Sequence, residues 1–351
     1  MGEPLPIHEA EQGLLYISPD CDRDTWFSIA GALKDEYGEA GFELFDSWSQ
    51  QGQSFDKGGC KTTWRSAKAG HYTIATLIKL AVQGGWQRPR RELTAEEKRT
   101  LRAEKERRRK ERQAEVERDE KRHQAMQEAV SDACWAIWQE HTHAIGSSPY
   151  LGKKGVGAYG IRFFKRSVLL VIDDRDCRCQ VLTGIAVREF FRTLPRPKPE
   201  HISFLRFSHE TIAVPLVDID GKLWAIQSIN GLGTKMFPKY GRKKGCFHLF
   251  GSLEGAELVG FSEGYATSAS AFELGSGWPV VACFDSGNML TVGKAFLEAG
   301  WLEGKTPVWM ADNDKLNPET GKRAGQDATA ACQAELGGVV HLPPAPVGEA
   351  A

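Results

Sequence analysis

An apolar run, Val308 to Ala311, ends in two aspartates one residue apart, Asp312 and Asp314, and then enters the polar loop "KLNPETGKRAGQDAT". Two further acids stand at the same kind of place: Glu263 follows "LVGFS" and Asp285 follows "VVACF". Carboxylates gathered at strand ends repel one another when ionised, and a cation among them relieves that repulsion. With oxygen ligands and no neighbouring His or Cys, the ion that fits is Mg²⁺ or Mn²⁺, which keeps several waters and shares phosphate oxygens with a substrate. The bland alternative is a surface turn, since Asp favours turns. Glu263 in "EGYATSAS" and Asp327 in "AGQDAT" favour the metal-binding reading. A phosphate-cradling loop at "GWLEGKT" is rejected, because it has three residues between its glycines and precedes a strand.

These acids need elements to hold them. From Leu258 onward "ELVGFS", "YATSASAFELG", "PVVACF", "VGKAFLEAG", "TPVWMA", "DATAACQAELG" and "VVHL" alternate strand and helix, which predicts a parallel sheet with helices on both faces. In such a sheet functional groups collect at the carboxyl ends of the strands, where all three acidic positions fall. Ahead of it, "SVLLVID", "TIAVPLVD" and "KLWAIQSI" read as strands, the last two a hairpin turning at "IDG". Then comes "GTKMFPKYGRKKGCFHLFG", where Lys235, Lys239, Arg242, Lys243 and Lys244 sit among glycines and aromatics. Basic residues on a glycine-rich turn can close on phosphates; a solvated loop has the same composition.

The first part of the chain differs. Residues 18–88 read as a small helical domain, with "SPDCDRDTW" opening one helix. "HYTIATLIKLAVQGG" opens another, with Ile74, Leu77, Ile78, Ala81 and Val82 on one face and Gly84-Gly85 ending it. Trp26, Trp48 and Trp64 are expected in its core rather than as stacking platforms, which sit beside basic residues on exposed strands. Residues 94–140 predict one long helix, opened by Thr94 and Glu97 as a capping box. It is polar on every face over 96–123 and docks through Met126, Val130, Trp135, Ile137 and Trp138. His141 and His143 lack the spacing of a zinc helix.

Across all 351 residues the net charge is −1 and 41% of residues are hydrophobic, so nucleic-acid contact must come from local patches. The eight cysteines form no CxxC pair, no apolar run approaches the ~20 residues of a membrane span, and no signal pattern opens the chain. A cytoplasmic protein with no membrane partner is expected.

"EGYATSAS", "ADND" and "AGQDAT" together resemble the Toprim domain of bacterial primases, topoisomerases and some nucleases. "PLVDIDGKLWAIQSINGLGTKMFPKYGRKKGCFHLFG" resembles the segment that precedes Toprim in DnaG-type primases. The stretch from "SPYLGKKGV" to "AGQDAT" is similar to primases of conjugative plasmids, phages and genomic islands. "DTWFSIAGALKDEYGEAGFELFDSWSQ" with "TTWRSAKAGHYTIATLIKLA" resembles the PriCT-2 module that accompanies such primases. The resemblance implies an α+β multidomain chain: a PriCT-2-like domain at 18–88, a charged helical linker at 94–140, an α+β primase-core subdomain at 146–254 and Toprim at 255–345. It implies that Glu263, Asp312 and Asp314 are catalytic and that they, together with Asp285, hold Mg²⁺ or Mn²⁺. Lys235 matches a functional lysine, and Lys239, Arg242, Lys243 and Lys244 are placed with it at nucleotide or DNA by proximity. The implied activity is primer synthesis on a single-stranded DNA template from ribonucleoside triphosphates, with a separate replicative helicase as a partner. There is no zinc-ribbon spacing, so template recognition would fall elsewhere, the PriCT-2-like region being the candidate. A Toprim nuclease and a non-catalytic DNA-binding replication or transfer factor are the alternatives.

Overall fold

The computed structural model describes residues 5–67, 70–87, 94–275, 277–311 and 323–342. It divides into two compact units, 1–119 and 120–351. The first is helical: α1 (Ile7–Leu14), α2 (Arg23–Tyr37), α3 (Gly41–Ser49), α4 (Lys57–Ser66), α5 (Ile74–Gln83) and the first turns of α6 (Ala95–Ala136). Asp22 starts α2 by accepting from the Thr25 amide at 2.9 Å, and Asp56 starts α4 by accepting from the Gly59 amide at 2.5 Å. Each cap satisfies an amide that has no partner within its helix.

Trp48 and Trp64 are buried in this unit's core, as expected, and Trp26 is half-buried. The Phe45 ring lies 5.0, 6.3 and 5.8 Å from the rings of Trp26, Trp48 and Trp64. Each indole N–H finds an acceptor: Ser49 Oγ, the Ile17 carbonyl and a Glu39 carboxylate oxygen respectively. Helix α1 lies ahead of the expected start at residue 18 and adds Ala10 and Leu14 to the same core. Eight residues were too few to show a period. On α5, Ile74, Leu77 and Ala81 are buried, whereas Val82 is 52% exposed at the edge of the stripe. Gly84 ends α5 where a Cβ would stand 1.9 Å from the Tyr16 carbonyl oxygen, so only glycine lets the chain pass.

Helix α6 is largely exposed over the described side chains of its charged stretch and gains a buried stripe at Met126, Val130, Ala133, Cys134 and Ile137. Trp135, expected on that stripe, points away and is 53% exposed; the helical period places Cys134 there instead. The helix closes in a wide turn, Ile137–His141.

The second unit continues with β1 (Thr142–His143), α7 (Pro149–Lys154), β2 (Arg162–Phe164), β3 (Val168–Asp173), β4 (Arg178–Thr183), α8 (Ile185–Thr193), β5 (Ile202–Phe207), β6 (Ile212–Val217), β7 (Leu223–Ile229), β8 (Lys235–Met236) and β9 (His248–Phe250). An alternating set follows: β10 (Leu258–Ser262), α9 (Tyr265–Leu274), β11 (Val280–Ala282), α10 (Ser286–Glu298), β12 (Thr306–Met310), α11 (Ala324–Leu336) and β13 (Val339–His341). An antiparallel sheet runs β1-β2-β6-β7-β8, with the expected β6–β7 hairpin at its centre. A separate sheet, β4-β3-β5, is built by the chain between β2 and β6. Its inner face, with Val168, Leu170 and Ile172, packs on Met126, Val130 and Cys134 of α6.

The third sheet runs β13-β12-β10-β11-β9, parallel except for β9. Its central strands are buried on both faces, hence the apolar runs in the sequence. Val259, Phe261, Val281 and Trp309 face α10 and α11 in one core. Val280, Ala282 and Met310 face α9 and the first sheet in another. Among the described residues no helix is long and apolar enough to cross a membrane.

Candidate active site and basic loop

From β10 the chain moves through α9 to β11 on one side, and then returns through α10 to β12 on the other. The carboxyl ends of β10 and β12 therefore flank the switch point, where open α/β sheets bind ligands. Glu263 follows β10 directly and is half-buried. Phe261 pairs with Trp309; carried two residues further, that register sets Glu263 level with Ala311. Asp312 and Asp314 come next in the sequence and lie outside the described residues. Among the described residues no three His, Cys, Asp or Glu side chains gather to hold an ion.

Glu263 brings a carboxylate to this end of the sheet. Cys283 follows β11 at the level of Glu263, but burial pushes its thiol well above the usual range. It packs in the core and offers no thiolate.

Lys235 comes to the same corner from another sheet. Strand β8 pairs it with Ile229, and its ammonium lies 3.0 Å from where a Cβ on Gly264 would stand, beside Glu263. The other expected cations occupy different positions. Lys239 donates to Asp174 at 2.7 Å, joined there by Tyr240 Oη at 2.9 Å. The Lys239 hydrogen bond holds the Asp174 carboxyl below its usual range, and Asp174 in turn raises Lys239. Arg242 stacks 4.4 Å from the Trp224 ring and lies 3.9 Å from Asp218. Lys243 reaches Asp285 at 3.3 Å. Among the described residues Lys235 and Lys244 have no carboxylate within salt-bridge distance, and both are exposed.

Asp285 caps α10, accepting from the Asn288 amide at 2.8 Å. Asn288 itself, given no role by the sequence, fastens the basic loop to the sheet. Its Oδ1 accepts from the Gly245 amide at 2.8 Å. Its Nδ2 donates to the carbonyls of Lys243, Cys246 and Cys283 at 3.0, 2.9 and 2.8 Å. The signal available was the "FDSGN" run that also holds Asp285.

Tyr265, of the "EGYAT" run, is a second such residue. Fully buried, its Oη accepts from the Tyr159 amide at 2.8 Å and donates to the Gly157 carbonyl at 3.0 Å. The start of α9 is thereby tied to the "GVGAYG" segment. Beside it His248 donates from Nε2 to the Tyr159 carbonyl at 2.8 Å, and burial pushes its pKa down to about 4. Asp327 accepts from the Arg323 amide at 3.2 Å at the start of α11.

Between the β6–β7 turn, the basic loop and α10 lies a cleft of about 790 Å³, lined in part by Lys222, Trp224, Arg242, Lys244 and Lys294. Lys222 and Arg242 both lie against Trp224, 4.0 and 4.4 Å from the ring centroid.

Comparison with known proteins agrees with the sequence resemblance. Residues 10–81 match the family described as Primase C terminal 2 (PriCT-2). Two curated relatives, both named DNA primase TraC from Escherichia coli, are 36% and 35% identical over 133 residues, which is 37% of this chain. The match spans 9% and 12% of their lengths. Two solved structures also match at 15% identity over 65% of this chain. One is a DnaG primase catalytic domain bound to single-stranded DNA, with 75% of that chain covered and a TM-score of 0.37. The other is the DnaG catalytic core, with 73% covered and a TM-score of 0.34. Residues 10–81 are thus similar to PriCT-2, on a chain similar over 133 residues to the TraC DNA primases.

Proposed function

We propose that this chain is a DNA primase that makes short RNA primers on single-stranded DNA during replication of a plasmid, phage or integrated mobile element. In this reading 255–345 is a Toprim domain, 146–254 the primase-core subdomain, 94–140 a helical linker, and the cell compartment a bacterial cytoplasm. The observation that carries it is Glu263 at the switch-point end of β10, next to the strand that leads into Asp312 and Asp314. The PriCT-2 match and the similarity to TraC supply the reaction class.

Glu263, Asp312 and Asp314 would hold Mg²⁺ or Mn²⁺, which when bound polarises phosphoryl oxygens and acidifies a coordinated hydroxyl. The chain's own groups position the reactants. Lys235, at the Gly264 corner, offers positive charge to a triphosphate there. Asn288 fixes the backbone that carries Arg242, Lys243 and Lys244, so these cations meet phosphate without reordering the loop. Preorganised charge of this kind acts on the transition state at no reorganisation cost.

The test incubates the full chain with single-stranded DNA of varied sequence, labelled ribonucleotides and Mg²⁺ or Mn²⁺. Wild type is compared with D312A/D314A and D312N/D314N. Short oligoribonucleotides from wild type alone, with all three chains folded alike by circular dichroism, are expected. Full synthesis by the double variants overturns the metal assignment. Metal-dependent DNA degradation without incorporation would replace the primase with a nuclease, and DNA binding without either activity with a non-catalytic replication factor.

A further inference from the structure

Strands β2 and β6 are neighbours, yet 47 residues, 165–211, separate them and build a sheet of their own. One face of that sheet is spent on α6; the other is different. Cross-strand register puts Leu169, Val171, Phe204 and Arg206 on it together, with α8 alongside. Helix α8 buries none of its residues fully.

Three aromatic rings meet here edge to face. Phe191 lies 5.2 Å from Phe204, and Phe190 lies 5.2 and 6.0 Å from Phe191 and Phe204. Phe191 and Phe204 remain 39% and 40% exposed. A cleft of about 490 Å³ opens beside them, with Arg188, Phe191 and Arg206 in its wall. Residues 184–209 hold five Lys and Arg against two acids, Glu189 and Glu200, on a chain whose net charge is only −1. Leu169 and Val171 are buried on this face, so its open part is the edge where the Phe191 and Phe204 rings stay exposed. Exposed rings on a strand and helix with arginines at their edges form the pattern that takes unpaired bases by stacking and their phosphates by charge.

We propose that the outer face of β4-β3-β5 and α8 is a binding surface for single-stranded nucleic acid. Phe191 and Phe204 stack bases while Arg188 and Arg206 pair with the backbone. It lies on a different sheet from Glu263, and binding there needs neither metal nor catalysis, so it stands or falls apart from the primer-synthesis reading.

The experiment measures binding of a labelled single-stranded oligonucleotide and the matching duplex to the full chain in EDTA, without nucleotides. F191L/F204L keeps the apolar volume and removes the π faces. With two stacking faces removed, roughly 1–3 kcal/mol per base predicts a loss of about 30-fold or more on the single strand, with duplex binding unchanged. R188Q/R206Q should flatten the dependence of log K on log salt by about 1.4, from two phosphates at roughly 0.7 each. A bromodeoxyuridine-substituted strand should photocrosslink to peptides holding Phe191 or Phe204. Unchanged single-strand affinity in F191L/F204L, or an equal loss on duplex, overturns the proposal. So do crosslinks confined to the 235–244 loop.

Discussion

Replacing Asn288 isolates the fastening of the basic loop from its charge. The side chain is 5% exposed and spends its whole amide on four backbone groups. In N288A the Lys243 carbonyl keeps the Cys246 amide at 2.9 Å, whereas the Gly245 amide and the Cys246 and Cys283 carbonyls lose the Asn288 side chain. A buried group left unpaired costs about 1–3 kcal/mol, and water entering at the loop surface recovers part of three such losses. A net cost of about 2–4 kcal/mol against local opening follows, or about 30- to 1,000-fold faster hydrogen exchange at Gly245 and Cys246. N288D is the sharper variant. It retains the acceptor for the Gly245 amide but turns a carboxylate oxygen towards three carbonyls, so it should open the loop more than N288A. Exchange of residues 241–247 is followed by mass spectrometry, with α5 as an internal reference. Protection in N288D equal to wild type, or exchange no faster than in N288A, would refute the account of Asn288 as a donor to the sheet.

Two further outcomes follow from the same geometry. His248 is buried neutral with its pKa depressed to about 4. Its contribution is complete above the unfolded value of about 6.5 and is lost as pH falls towards 4, on the order of 3 kcal/mol in all. H248Q keeps a donor for the Tyr159 carbonyl, so its urea midpoint should fall less steeply between pH 6.5 and 4; parallel curves would remove His248 as the cause. Lys239 is committed to Asp174, whereas Lys244 has no carboxylate partner among the described residues. K244A should lower the salt slope of DNA binding by about 0.7 and K239A should leave it unchanged, with equal slopes in both variants counting against this division.

The sequence showed most where one physical rule acted alone. Strands β10 to β13 could be read because a sheet covered on both faces makes apolar runs of strand length, with helices counted off between them. Lys235 and Glu263 could be named from their motifs, and the structure brings Lys235 to the turn that begins with Glu263. Strands β1, β2, β8 and β9 have two or three residues each and show no period. Trp135 could not be told from Cys134 as the docking residue, because one step along a helix turns the side chain by about 100°. Asn288 reaches Gly245, Lys243 and Cys246 across 42 to 45 positions and Asp174 reaches Lys239 and Tyr240 across 65 to 66, distances at which composition is silent.

The seat of α6 has a consequence for how the chain is made. Its apolar stripe begins at Met126, but the residues that cover it run from Phe164 to Ile226. Ser131 donates to the Leu223 carbonyl, 92 positions later. At a bacterial synthesis rate of about 5–20 residues per second, α6 leaves the ribosome about 5–20 s before its last contacts exist. Through that interval the stripe is uncovered beside the stretch 96–123, whose twelve bases and nine acids oppose association through it.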